Sequence, residues 1–163
     1  MAIYMKFVTK HAGIEGASTT KGLEKWIVVD SLRYGVNRPL TSRSRAALGR
    51  EAGEVRISEI VVTKQMDKSS PKLWTEAAHG LLNSKVDFKF TTMVQNQVLT
   101  YCEIKLEGCG VSSHSTSAGS EGLPMESISV NFTKIVWSFS PIDEKGSGTP
   151  EKVGHDLATQ QKV

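Results

Sequence analysis

Asp67-Lys68-Ser69-Ser70-Pro71-Lys72-Leu73-Trp74, continued by Thr75 to Gly80, decides the fold, because it reads as one short punctuated helix in a chain otherwise patterned for strands. Ser70 suits the N-cap, where a hydroxyl accepts from a free amide of the first turn. Pro71 at the first helical position forfeits no hydrogen bond, and Gly80 suits a left-handed C-terminal stop. A helix over about 71–80 is therefore expected. Leu73, Trp74, Ala77, Ala78 and Leu81 form an apolar stripe along it, which places Trp74 in the subunit core beside Leu73 and Ala78.

Outward from the helix the pattern changes to period two. Ile3 to Val8 and Lys25 to Tyr34 read as strands joined by a Gly/Ser/Thr-rich connection. In the second strand Trp26, Val28, Leu32 and Tyr34 share the parity assigned to the core, whereas Ser31 and Arg33 point the other way, with Lys25, Ile27 and Val29. Val55 to Lys64 carries apolar residues on both parities, as a strand covered on both sides would. Val86, Phe88 and Phe90 alternate with Lys85, Asp87 and Lys89, and Gln95-Asn96 predicts a hairpin turn into an antiparallel partner, Val98 to Glu107. Glu126 to Phe139 holds a phase switch from Ile128, Val130 and Phe132 to Ile135, Trp137 and Phe139. Either a bulge near Thr133 and Lys134 or burial on both sides towards the strand's end accounts for it. Ser112 to Gly122, rich in Ser and Gly, reads as a mobile surface loop, residues 141–152 as a flexible linker, and Val153 to Leu157 as a short last strand.

Val36 to Gly53 is an apparent loop carrying Arg38, Arg43, Arg45 and Arg50 with only Glu51 opposed. Loops of that length inside compact domains are usually functional or disordered, so a projecting, partner-contacting arm is expected.

The 163 residues suit one domain able to bury a core without metal or disulfide, and no repeat or domain boundary interrupts them. A balance of 20 Lys and Arg against 17 Asp and Glu is too even to indicate a nucleic-acid or membrane partner. Cys102 and Cys109 match neither a zinc ribbon nor a Cys-x-x-Cys redox pair and read as reduced structural thiols. The start lacks a basic region before a long apolar run, and no stretch approaches the ~18 apolar residues of a membrane span, so folding in a cytoplasm is expected. His11, His79, His114 and His155 are scattered without metal-ligand spacing, with no nucleophile elbow or phosphate cradle, so neither catalytic residues nor a cofactor or metal are expected. The Arg-rich arm has no stacking aromatics interleaved, which argues against nucleic acid.

Several segments in order resemble the Hcp family, the haemolysin-coregulated tube protein of bacterial type VI secretion. They are Gly13-Ile14-Glu15-Gly16-Ala17-Ser18, similar to Gly-x-x-Gly-Glu-Ser; Tyr34-Gly35; the stretch Thr63-Lys64 through Asp67, Ser69, Ser70, Pro71 and Leu73; Val111-Ser112-Ser113; and Pro124 through Phe132. Ala17 stands where the family often has Glu, and Gly154-His155-Asp156-Leu157 is similar to its Gly-Trp-Asp-Leu ending, with His155 in the aromatic position. The resemblance implies a mainly β fold: a small β-barrel of two antiparallel sheets with one short helix and a long extended loop. It further implies a non-enzymatic subunit that closes into homohexameric rings, stacks into a tube, meets spike and sheath components, carries small effector proteins as their chaperone, and leaves the bacterial cytoplasm without a cleaved signal peptide. In such a ring Ser31 and Arg33 would face the lumen, as effector-binding residues, and Arg38, Arg43, Arg45 and Arg50 would serve ring stacking. The alternatives are a phage-like tail tube protein and a monomeric small-molecule-binding or hydrolytic β-barrel.

Overall fold

The computed structural model describes residues 1–8, 13–41 and 52–163. Its strands are β1 (Ala2–Val8), β2 (Ile27–Val29), β3 (Ser31–Arg33), β4 (Val36–Asn37), β5 (Arg56–Ile57), β6 (Ile60–Gln65), β7 (Ser84–Val94), β8 (Gln97–Ser117), β9 (Met125–Asn131), β10 (Lys134–Phe139), β11 (Ile142–Asp143), β12 (Gly146–Ser147), β13 (Glu151–Asp156) and β14 (Gln161–Lys162). A helix, α1 (Ser70–His79), lies between β6 and β7. Ten strands form one sheet folded into two layers. One layer runs β14-β13-β10-β8-β7-β1-β2; the other runs β3-β6-β9 and returns to the far half of β8.

The long strand β8 makes this possible by serving both layers. Its first half pairs with β7 and β10, and its second half pairs with β9 from Gly110↔Asn131 to Ser117↔Met125. The bend sits at Gly108, whose φ of 62° few side chains tolerate and where an added Cβ would run into Thr133. Opposite the bend the chain breaks between β9 and β10, with Thr133 N donating to Glu107 O at 3.0 Å. The phase switch expected in Glu126–Phe139 is thus a corner between two strands, not a bulge within one. Ile128, Val130 and Phe132 bury on one side of it and Ile135 on the other.

The β7–β8 hairpin turns at Gln95 and Asn96, with φ of 47° and 62°, the paired positive values of a type I′ turn. The stretch Lys25–Tyr34 is two strands. At Asp30, whose amide donates to Thr63 O at 2.8 Å, the chain passes from one layer to the other and its parity inverts. Ile27 and Val29 are therefore in the core and Val28 is 44% exposed, the reverse of the parity expected. Val55–Lys64 likewise divides into β5 and β6. Ser112–Ser117, expected as loop, continues β8, because its polar residues occupy the solvent face of a paired strand. Residues 141–152 carry the β11–β12 hairpin rather than plain linker.

The core between the layers is built from Met5, Phe7, Ile27, Ile60, Val62, Val86, Phe88, Ile104, Leu106, Ile128 and Val130, with Leu73 of α1 closing one end. A second cluster, Tyr4, Leu23 and Trp26, anchors the connection after β1. There Gly16 N donates to Lys25 O at 2.8 Å, and Gly16 lies so close to the backbone of Trp26 and Ile27 that no Cβ fits. Among the described residues no helix is long and apolar enough to cross a membrane.

Candidate functional site

The outer face of the β3-β6-β9-β8 layer is a field of hydroxyls. Ser31, Thr63, Ser127 and Ser115 stand in register across the four strands, and Arg33, Val61, Ser129 and Ser113 form the next row. Period two puts every second residue on this face, and the strands supply serine or threonine at most of those positions. Ser31 Oγ and Thr63 Oγ1 lie 2.6 Å apart, and Ser113 Oγ and Ser129 Oγ 3.0 Å apart, so neighbouring hydroxyls bond one another across strands. Glu59 at the edge accepts from Ser112 Oγ at 2.7 Å and Asn131 Nδ2 at 3.2 Å. Arg33 makes no ion pair among the described residues. It borders an open groove of about 430 Å³ with Tyr34, Ser58, Glu59 and Val61. Ser31 and Arg33 are therefore both exposed on one face, as the sequence places them. Thr63, Ser113, Ser115, Ser127 and Ser129 share that face unforeseen, although the alternation of Ser113, Ser115 and Ser117 was a signal for it.

Beneath this layer lies a buried charge network made by the Thr63–Leu73 stretch. Ile60, Val62 and Lys64 all point inwards from β6, and Lys64 is fully buried. Its Nζ lies 2.8 Å from Glu126 Oε2 and 3.0 Å from Asp67 Oδ1, and donates to Ser70 Oγ at 3.3 Å. Ser70 Oγ donates in turn to Glu126 Oε2 at 2.8 Å and accepts from Asp67 N at 3.0 Å. Burial pushes the Asp67 carboxyl up, but hydrogen bonds from Ser69 and Lys64 outweigh it and hold the group below its ordinary range. From β8, His114 brings Nε2 to 3.3 Å of Glu126 Oε1 without hydrogen-bond alignment.

This network corrects the reading of the helix start. Ser70 is the first helical residue, locked into the network, while Ser69 holds the N-cap position without a side-chain cap bond; Asp67 instead accepts from both Ser69 N and Ser69 Oγ. Pro71 sits at the helix start as expected. Gly80 is not left-handed: it is extended at φ −68° and ψ 155°, and glycine is needed there because its Cα packs onto Glu76. Leu73 is fully buried, but Trp74 is 58% exposed and outside the core, with Ala78 and Leu81 also exposed. The stripe is really two: Leu73 and Ala77 face in, while Trp74, Ala78 and Leu81 face out.

The arm begins as a two-stranded ribbon, β4 against β5, prolonged by a Leu40↔Ala52 bridge and by Gly53 N donating to Pro39 O at 2.8 Å. Arg38 is exposed on it. Arg43, Arg45 and Arg50 lie outside the described residues, as do Glu51 and His11. Cys102 and Cys109 are both free and buried, and desolvation pushes the Cys109 thiol up to about 12.

Comparisons with known proteins agree with this geometry. A family profile described as "Type VI secretion system effector, Hcp" matches residues 4–139. A solved structure of a type six secretion system protein superposes with a TM-score of 0.88 at 28% identity, covering 99% of both chains. Hcp1 from Salmonella typhimurium superposes at 0.76 with 18% identity, covering 99% of this chain and 98% of that one. A type VI secretion system effector from Yersinia pestis superposes at 0.68 with 21% identity, covering 94% and 98%. No curated protein sequence matches the chain. With 136 consecutive positions under the family profile and a fold that superposes on solved Hcp structures, the chain belongs to the Hcp family of type VI secretion tube proteins.

Proposed function

We propose that this chain is the ring-forming subunit of a type VI secretion inner tube, with the hydroxyl face of β3-β6-β9-β8 turned to the lumen, where it holds small effector proteins. The observation that carries this reading is that face: four strands with Ser or Thr at most solvent-side positions, Arg33 exposed among them and Glu59 at the edge. Hydroxyls bonded to one another across strands leave a wall with little charge to arrest passing cargo, whereas a ring of Arg33 side chains adds a positive girdle. In a narrow passage such a girdle selects for acidic cargo. Arg38, exposed on the β4–β5 ribbon, suits contact with an adjacent ring. Spike and sheath components would then be the partners at the tube's end and along its outer wall, and export would follow from expulsion of the tube. Assembly should proceed without an added ligand. Sedimentation in chelator should give a closed oligomer about six times the 17.8 kDa subunit; a sharp monomer across the micromolar range would sink the reading.

A further inference from the structure

Glu126 meets the buried charge network with one oxygen only. Lys64 Nζ and Ser70 Oγ both engage Oε2, at 2.8 Å each, whereas Oε1 is buried without a hydrogen-bond partner. The group facing that bare oxygen is His114, whose Nε2 stands 3.3 Å away and is likewise buried and unpartnered. Two orphaned polar atoms side by side each lose water and gain nothing in return. One aligned proton between them ends both deficits. The charges of the network point the same way, since Lys64 is a single cation set against two carboxylates, Glu126 and Asp67. No other titratable side chain of the surrounding elements faces the site. β6 and β9 carry only Lys64 and Glu126, and the facing layer fills the core with apolar side chains. On α1, which packs on β8, Lys72 Nζ donates to Gly13 O at 2.8 Å, Glu76 Oε2 lies against Gly80, and His79 is exposed, as is Lys68 before the helix.

We infer that His114 and Glu126 form a proton-operated clamp: a proton taken up by the imidazole turns their contact into a charge-assisted bond that ties the outer half of β8 to the Lys64 network. Imidazole is the side chain whose charge changes between pH 5 and 8. Once charged, both ring nitrogens donate, and a small turn of the ring aims Nε2–H at Oε1. Two cations then face two carboxylates, and the buried network is neutral. The mechanical consequence comes from the topology. Among the described residues Gly110 to Ser117 pairs with β9 alone, so His114 is the inward anchor of an edge segment whose outward residues, Ser113 and Ser115, belong to the hydroxyl face. A proton held more tightly by the folded than by the unfolded chain adds stability in acid and withdraws it as pH rises. Acid therefore tightens this edge, and alkali loosens it.

The test is a double-mutant cycle on the full chain, with His114→Gln and Glu126→Gln singly and together, unfolded in urea at one protein concentration at about pH 5.5 and about pH 8.5. Glu126→Gln also disturbs Lys64, but that loss enters both arms of the cycle and cancels. The expected coupling in the unfolding constant is about ten- to hundredfold at the acid pH, the weight of a hydrogen bond to a charged group, and about threefold or less at the alkaline one. Coupling that is equal at the two pH values, or absent at both, would overturn the clamp. Should Glu126→Gln fail to fold, amide hydrogen exchange over residues 110–117, corrected for the intrinsic pH dependence of exchange, decides the question with His114→Gln alone. Wild type should exchange more slowly than His114→Gln at about pH 5.5 and at the same rate at about pH 8.5. Equal protection at the acid pH, or an equal difference at both, would overturn the proposal.

Discussion

Replacing Lys64 by Met isolates the buried charge network. The side chain is fully buried and serves two carboxylates at 2.8 and 3.0 Å, so its removal leaves Glu126, itself 1% exposed, without a cation in a low-dielectric site. Removing one partner of a buried pair typically costs ~3–5 kcal/mol, because the surviving charge keeps its desolvation penalty. Against a total stability of ~5–15 kcal/mol, that loss lowers the folded-to-unfolded ratio by about two to four orders of magnitude. At ~2–4 °C per kcal/mol for a chain of this size it corresponds to a melting shift of ~6–20 °C. Guanidinium denaturation followed by circular dichroism, at one fixed protein concentration for every variant, measures it. The double variant Lys64→Met with Glu126→Gln should recover part of the loss, since the orphaned charge is gone. A Lys64→Met chain within ~1 kcal/mol of wild type, or a double variant worse than both singles combined, would refute the network as a structural element.

Cys109 should resist Ellman's reagent in the folded protein and react only on unfolding, because burial holds its thiol near 12; stoichiometric labelling of native protein at pH 8 contradicts this. Asp67, held below its ordinary range, contributes stability that is complete above the unfolded carboxyl value of ~4 and is lost as pH falls through the lower folded value. Asp67→Asn should therefore narrow its deficit from wild type as pH falls from 6 towards 3, and a constant deficit would remove that role. Arg33→Glu should keep the assembly while shedding acidic co-purifying effectors first, with the difference shrinking as salt rises; unchanged retention at low ionic strength would place Arg33 off the cargo surface. Replacing residues 41–51 by a short Gly/Ser turn on the β4–β5 ribbon should leave single rings and abolish stacking by electron microscopy, and loss of the folded subunit would mean the arm packs inwards.

The sequence made legible what local pattern dictates. Gln95-Asn96 between alternating strands specifies its own turn, and Ser70-Pro71 marks a helix start within one residue of its observed place. What escaped depends on tertiary placement. Period 3.6 assigns Leu73, Trp74, Ala77, Ala78 and Leu81 to a single apolar stripe, but it cannot say that only Leu73 and Ala77 meet the sheet. Lys64 and Glu126 obey the inward parity of their strands while breaking the rule that buried residues are apolar, and the partner that makes each tolerable lies 62 residues away. The composition of Ser112–Ser117 suggested a loop, yet the same serines are what the solvent face of a paired strand needs. Parity inversion at Asp30 was hidden because apolar residues occupy both phases of Trp26–Leu32.

The central claim is that the β3-β6-β9-β8 layer walls the lumen of a ring. Single-particle electron microscopy of the purified protein, carried to side-chain detail, tests it most directly. The expected result is a closed sixfold ring with an open channel, Ser31, Thr63, Ser127 and Ser115 on its inner wall and Arg33 beside them. A ring carrying that hydroxyl row on its outer surface, or particles no larger than a monomer, would contradict it.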